Sequence, residues 1–74
     1  MNVDVRLFAS LRQGRFQQAK MELREGETLA ELLERLQIRP QEVGISMVNG
    51  RHASPDRPLA EGDSVALFPP IAGG

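Results

Sequence analysis

Three segments of the chain alternate between apolar and polar residues with a period of two, which is typical of strands buried on one face. They span residues 3–8, 19–23 and 64–68. Their apolar positions are Val3, Val5, Leu7, Ala19, Met21, Leu23, Val65 and Leu67. Because residues 11–15 are mostly polar and include Gly14, they are predicted to form a turn that joins the first two strands in an antiparallel hairpin.

The period changes between residues 29 and 36, where apolar residues follow the spacing of one face of a helix. These residues are Leu29, Leu32, Leu33 and Leu36. Thr28 and Glu31 have the spacing of a capping box, which satisfies the first free backbone N–H groups of a helix. Because Pro40 cannot continue a helix, the helix is predicted to end near Gln37. Its charged residues are predicted to face solvent: Glu31, Glu34 and Arg35.

Two further short strands are predicted after the helix, at residues 43–48 and 51–53. The dipeptide Asn49-Gly50 between them is a strong signal for a hairpin turn. Strands grouped on both sides of one helix indicate an α+β fold. The arrangement that suits this order is the β-grasp, or ubiquitin-like, roll, in which a mixed sheet of four to five strands packs on one helix. In this roll the first and last strands are parallel neighbours, and the domain is predicted to span residues 1–68.

Phe8 and Phe68 interrupt the alternation, because each lies on the polar face of its strand. If the two strands are parallel neighbours, the two rings lie close together outside the core. A chain with only three aromatic residues would gain by burying them, so an exposed pair indicates a partner-binding patch. The alternative is a bulge or twist that turns one or both rings inward. Phe16 is predicted to pack locally, and His52 to lie on the surface of its short strand.

The composition excludes several classes of protein. The 74 residues include no cysteine and one histidine, which excludes disulfide scaffolds, zinc ribbons and thiol catalysis and leads us to expect no metal site. A net charge of −1 without a basic run argues against a nucleic-acid partner. Neither a membrane-spanning segment nor a signal peptide is predicted, so we expect a cytoplasmic protein. The scattered serines have no neighbouring base, which argues against an independent enzyme.

Residues 69–74 are predicted to form a flexible tail. Pro69 and Pro70 favour extended backbone, and Gly73 and Gly74 have no side chains, which suits insertion into a narrow channel of another protein. Six residues reach at most about 20 Å. The carboxylate of Gly74 is then the one group that the chain could deliver to a remote active site. An idle, frayed terminus is the alternative.

Residues 68–74, with the sequence Phe-Pro-Pro-Ile-Ala-Gly-Gly, and the preceding residues 58–65 resemble the C-terminal signature of the small subunit of molybdopterin synthase. The resemblance includes residues 5–9, the helix at 28–36 and the residues at 48–50, and therefore spans nearly the whole chain. The terminal motif is specific to ubiquitin-like sulfur carriers, but it separates the members of that superfamily less well.

The resemblance implies a sulfur carrier that is not an enzyme alone but acts as a subunit of molybdopterin synthase. A ubiquitin-activating-type adenylyltransferase would use ATP to adenylate the carboxylate of Gly74, and a sulfur donor protein would convert it to a thiocarboxylate. The synthase large subunit would accept the tail, including Gly73, in a heterotetramer, and would pass the sulfur to precursor Z. No bound cofactor is implied. The implied partner-binding residues are Phe8, Phe68, Pro69, Pro70 and Ile71.

Three other functions remain open at this point. The chain could carry sulfur for thiamine thiazole or for a sulfur amino acid, although thiazole carriers typically lack the Pro69-Pro70 pair. It could be a ubiquitin-like modifier that is joined to lysines through Gly74. It could also be a plain binding module whose terminus has no chemical role.

Overall fold

The computed structural model describes residues 1–71 of the chain. Its helix and strands are, in chain order, β1 (Asn2–Leu7), β2 (Gln18–Glu22), α1 (Leu29–Leu36), β3 (Ile45–Val48), β4 (Arg51–His52) and β5 (Ser64–Phe68). Two short 3₁₀ helices, Ala9–Arg12 and Pro40–Glu42, connect these elements. The candidate residues Gly73 and Gly74 lie outside the described residues. No helix within residues 1–71 has the length and apolar character needed to cross a membrane.

The five strands form one mixed sheet in the order β2-β1-β5-β3-β4. β1 and β5 are parallel neighbours at its centre, and all the other pairs are antiparallel. In the register of β1 and β5, Val5 lies beside Val65 and Leu7 beside Leu67. The predicted β-grasp topology is therefore confirmed, including the contact between the first and last strands.

The core lies between the sheet and α1. Its buried apolar residues are Val3, Val5, Leu7, Leu11, Leu23, Leu29, Leu32, Leu33, Leu36, Ile38, Val48, Leu59, Val65 and Leu67. All four leucines of the predicted helical stripe belong to this set, together with the apolar positions predicted for β1 and β5. Phe16 packs against the same core and is partly buried, which confirms its predicted local packing.

Two predicted segments differ from the structure by more than one residue at a boundary. Residues 11–15 were expected to form a polar turn, but Leu11 is buried in the core and belongs to the 3₁₀ helix Ala9–Arg12. The Nε of Arg12 donates to the carbonyl of Leu7 at 2.8 Å and fastens this turn to the end of β1. The third strand begins at Ile45 rather than at residue 43, because the short helix Pro40–Glu42 and its cap occupy the preceding positions.

The ends of α1 follow the sequence closely. The predicted capping box is present: the backbone N–H of Glu31 donates to Thr28 Oγ1 at 3.2 Å, and that of Thr28 donates to Glu31 Oε1 at 2.9 Å. Gln37 ends the helix in the left-handed conformation, with φ of 57°. These contacts fix the helix boundaries at the predicted positions.

The sequence predicted that Arg35 faces solvent. In the structure, Arg35 also pairs with the buried carboxylate of Glu27. Its Nη2 donates to Glu27 Oε1 at 2.9 Å, and its Nε donates to the other oxygen. This hydrogen bonding outweighs the effect of burial and lowers the pKa of Glu27 to about 2. The pair links α1 to the loop that precedes it.

Candidate functional site

The two phenylalanines stack on the face of the sheet opposite α1. Leu7 and Leu67 are register partners that point into the core, so the next residue of each strand points to the other face. The rings of Phe8 and Phe68 have centroids 4.3 Å apart and lie within 12° of parallel. The backbone N–H of Phe8 donates to the carbonyl of Leu67 at 3.1 Å and holds this geometry. The predicted proximity of the rings is confirmed.

Both rings are half-buried, whereas the sequence predicted them to be exposed. The reason is that each ring covers one face of the other. The guanidinium of Arg12 lies 5.5 Å from the centroid of Phe8 and covers it further. This distance is within the range of a cation–π contact. The alternative of rings turned into the core does not occur, since neither ring belongs to the core cluster.

Strand β3 extends the apolar surface beyond the two rings. Ile45 lies opposite Phe68, and Met47 lies opposite Ala66, in the antiparallel register of β3 and β5. Residues opposite each other in such a pair share one face of the sheet, and Ile45 is 36% exposed. We call this surface the outer-face patch; it consists of Phe8, Ile45, Met47, Ala66 and Phe68.

Sequence reasoning missed Ile45 and Met47 because a strand of four residues gives too short an alternation to separate its faces. One signal was available. Val48, the apolar residue before the Asn49-Gly50 turn, faces the core and is buried. Because neighbouring residues of a strand point to opposite faces, Met47 points to the other face, and so does Ile45 two residues earlier.

Basic residues border the outer-face patch. Arg12 lies at Phe8, and Arg6 is the neighbour of Ala66 in the register of β1 and β5. The side chain of Arg6 is 54% exposed and lies 3.5 Å from a carboxylate oxygen of Asp4. On the other side of the patch, the exposed His52 lies opposite Met47, which confirms its predicted surface position. The patch therefore has an apolar centre and a mainly basic border.

The tail begins at the edge of the outer-face patch. Pro69 is half-buried and Pro70 is exposed, while Ile71 is 77% exposed. The backbone N–H of Gly44 donates to the carbonyl of Phe68 at 2.8 Å, so the last residue of β5 is fixed where the tail leaves. Four of the five predicted partner-binding residues are the consecutive residues 68–71. The fifth, Phe8, stacks on Phe68.

The described residues were also searched for groups that could hold a metal ion. Within residues 1–71, no group of three or more His, Cys, Asp or Glu side chains converges as metal ligands would. What the described residues provide is an apolar area and, directly beside it, the exposed residues Pro70 and Ile71.

Comparisons with known proteins agree with this geometry. The chain matches the ThiS family over residues 5–74. No curated protein sequence matches it significantly. Among solved structures, it is similar to the putative molybdopterin converting factor subunit 1 from Pyrococcus furiosus, with 31% identity and a TM-score of 0.78 over 96% of this chain and 99% of that one.

Two further structures resemble the chain over its full length. One belongs to the complex of subunits 1 and 2 of the molybdopterin-converting factor from Helicobacter pylori, with 26% identity and a TM-score of 0.69 over 100% of both chains. The other is SAMP1 from Haloferax volcanii, with 24% identity and a TM-score of 0.79 over 100% of both chains, and it supports the fold alone.

The family match leaves only the first four residues unmatched, and it includes both phenylalanines of the outer-face patch and the whole tail. The structural similarity extends over the same β-grasp domain. The resemblance found in the sequence is thereby confirmed, and the chain belongs to the ThiS family of ubiquitin-like sulfur-carrier proteins.

Proposed function

We propose that this chain is the sulfur-carrier subunit for molybdopterin synthesis and that the carboxylate of Gly74 is the group that bears the sulfur. The observation that supports this most is the stacked pair of Phe8 and Phe68, which lies directly beside the base of the tail. A partner that binds this pair has the tail within its reach. The last two residues of that tail are glycines without side chains, Gly73 and Gly74.

The proposed chemistry takes place in two steps on Gly74. A carboxylate is a poor acyl electrophile, so a ubiquitin-activating-type adenylyltransferase first joins it to the α-phosphorus of ATP, and pyrophosphate leaves. A sulfur donor protein then supplies sulfur at the oxidation level of sulfide to the acyl carbon, and AMP leaves. The product is a thiocarboxylate. The chain contributes the carboxylate and its placement, while ATP and the reacting side chains belong to its partners.

The outer-face patch is the proposed contact for the synthase large subunit. A centre of aromatic and aliphatic side chains with a polar border is the arrangement typical of protein–protein interfaces. Because Arg6 and Arg12 border it, the complementary surface of the partner should carry carboxylates around an apolar depression. The Helicobacter pylori relative comes from a complex of subunits 1 and 2, which supports a large-subunit partner. We place the chain in a heterotetramer as a non-catalytic subunit.

The molybdopterin product is favoured over a thiazole or a sulfur amino acid by two observations. The tail begins directly after Phe68 with Pro69-Pro70, a pair that thiazole carriers typically lack. The relative with 31% identity is a putative molybdopterin converting factor subunit 1.

Reconstitution of the transfer step tests the proposed product. The thiocarboxylated chain is mixed either with a molybdopterin synthase large subunit and precursor Z or with a thiazole synthase and its substrates, and each product is quantified. We expect molybdopterin in the first mixture and no thiazole in the second. A Gly74-deleted variant is the matched control and should give neither product. Formation of thiazole without molybdopterin would contradict the proposed pathway and leave the carrier chemistry in place.

A further inference from the structure

Gly44, which precedes β3, lies unusually close to the base of the tail. A Cβ atom built on it would lie 2.6 Å from Pro70 Cα, 2.8 Å from the carbonyl oxygen of Pro69 and 2.8 Å from Pro70 N. These are backbone atoms, so no flexible side chain could move aside to relieve the contact. Even an alanine at this position would therefore require the tail base or β3 to shift.

The other described glycines have a different role. Gly14, Gly26, Gly50 and Gly62 have positive φ angles, and a Cβ on any of them would meet nothing within 4 Å. These four allow turns that side chains disfavour. Gly44 does not have such a φ. Its backbone would accept an L residue, and only the space beside Pro69 and Pro70 requires glycine.

We propose that Gly44 is a positioning residue that sets the direction in which the tail leaves the domain and thereby places the Gly74 carboxylate in the active site of the activating enzyme. This inference rests on the proposed function. The contact acts from the side of β3, where the Gly44 N–H also donates to the carbonyl of Phe68 at 2.8 Å. Gly44 thus holds the last position of β5 through this hydrogen bond and, by having no side chain, leaves the space beside Pro69 and Pro70 free.

The stiffness of the tail base makes a small displacement matter at its end. The rings of Pro69 and Pro70 fix their φ angles, so a shift at this point changes the position and direction from which residues 71–74 start. Ordinary contact for a Cβ begins at 3.4 Å, so an alanine at position 44 must change the separation of Pro70 and β3 by about 1 Å. Residues 71–74 add up to about 14 Å of chain beyond it. A misplacement of about 1 Å at the reacting atoms can reduce a rate by roughly 100-fold.

The test is the adenylation step, measured as ATP–pyrophosphate exchange with the activating enzyme at varied carrier concentration. For Gly44→Ala we expect kcat to fall by about 10-fold to 100-fold. The KM for the carrier should stay within about 3-fold, because the substitution leaves the outer-face patch unaltered, and we propose this patch as the contact for the activating enzyme as well. Gly26→Ala is the matched control. It makes the same substitution at a strained position away from the tail, so it should lower stability and leave kcat unchanged.

A second substitution separates positioning from a structural role. Pro70→Gly removes the stiffness that transmits the shift, so alone it should lower kcat moderately. In the Gly44→Ala/Pro70→Gly double variant, the alanine should lower kcat by less than about 3-fold relative to Pro70→Gly. Because Pro70 is itself a predicted partner-binding residue, only kcat is compared for this variant. If Gly44→Ala does not fold, a lowered kcat for Pro70→Gly alone still supports a role for the fixed geometry of the tail base.

Any one of four results would overturn the inference. They are an unchanged kcat for Gly44→Ala or for Pro70→Gly, an equal loss of kcat for Gly26→Ala, and a full effect of the alanine in the Pro70→Gly background. In each case the unsubstituted chain would still be adenylated and the proposed function would stand. Failure of the unsubstituted chain to be adenylated by any cognate activating enzyme would instead overturn the proposed function together with this inference.

Discussion

Alanine substitution of Phe68 separates the role of the stacked rings in partner binding from their role in stability. Replacing a fully buried phenylalanine by alanine costs about 3–5 kcal/mol of unfolding free energy. Phe68 is half-buried and packs on Phe8 outside the core, so we expect a loss of about 1–2 kcal/mol. The stacking geometry itself should contribute roughly 0.5–1.5 kcal/mol of that loss.

The loss in partner binding should be larger than the loss in stability. An aromatic side chain at the centre of an interface is worth about 2 kcal/mol or more, which corresponds to a dissociation constant raised about 30-fold. Phe68 has this central position, because Phe8 and Ile45 flank it on the two neighbouring strands. We therefore expect the Phe68→Ala chain to be folded and to bind the large subunit at least about 30-fold more weakly.

Two assays measure these effects independently. Urea denaturation of Phe8→Ala, Phe68→Ala and the double variant gives the coupling free energy of the rings, and calorimetric titration with the large subunit gives the affinities. Phe16→Ala is the control, since it removes the same side chain from a site packed on the core. A loss of about 4 kcal/mol or more in stability for Phe68→Ala with unchanged affinity would refute the patch. Equal weakening of binding by Phe16→Ala would refute it as well.

Two further substitutions test the core and the buried ion pair. Leu33 is 4% exposed, so Leu33→Ala should lower the unfolding free energy by about 2–4 kcal/mol, and an unchanged urea midpoint would mean that α1 does not cover the sheet. The hydrogen bonds from Arg35 lower the pKa of Glu27 to about 2. The folded state thus holds the ionised form more strongly, and this stabilisation is complete above pH 4.5 and lost as the pH falls towards 2. Glu27→Gln should therefore reduce stability more at pH 7 than at pH 2, as measured by urea denaturation, and an equal reduction at both pH values would contradict the assigned pKa.

Much of the fold could be predicted because the strongest sequence patterns coincide with the most buried elements. The alternation that ends at Leu7 and Leu67 determines which faces of the two central strands are buried, and the β-grasp order makes those strands neighbours. From these two features, the contact between Phe8 and Phe68 could be predicted from the sequence. Local sequence patterns were sufficient to predict an element where its apolar residues keep one period over five or more residues.

The remaining features depend on contacts between residues distant in sequence or on elements too short to show a period. Leu11 is the single buried residue of a four-residue 3₁₀ helix, so no pattern marks it. The pairing of Arg35 with Glu27 crosses the N-terminus of α1, where the helical period does not extend. The role of Gly44 depends on its close approach to Pro70, which is 26 positions away in the chain. The pairing of β3 with β5 brings the two residues together.

The intact mass of the chain tests most directly whether Gly74 carries the sulfur. It is measured after incubation with an activating enzyme, ATP and a sulfur donor. We predict an increase equal to the mass difference between one sulfur and one oxygen atom, which is absent when Gly74 is deleted. One residue added beyond Gly74 should also abolish it, because it moves the carboxylate by about 3.5 Å, the whole distance over which attack occurs. Sulfur found on the Gly74-deleted chain, or an unchanged mass of the intact chain with every cognate activating enzyme, would contradict the assignment of sulfur transfer to Gly74.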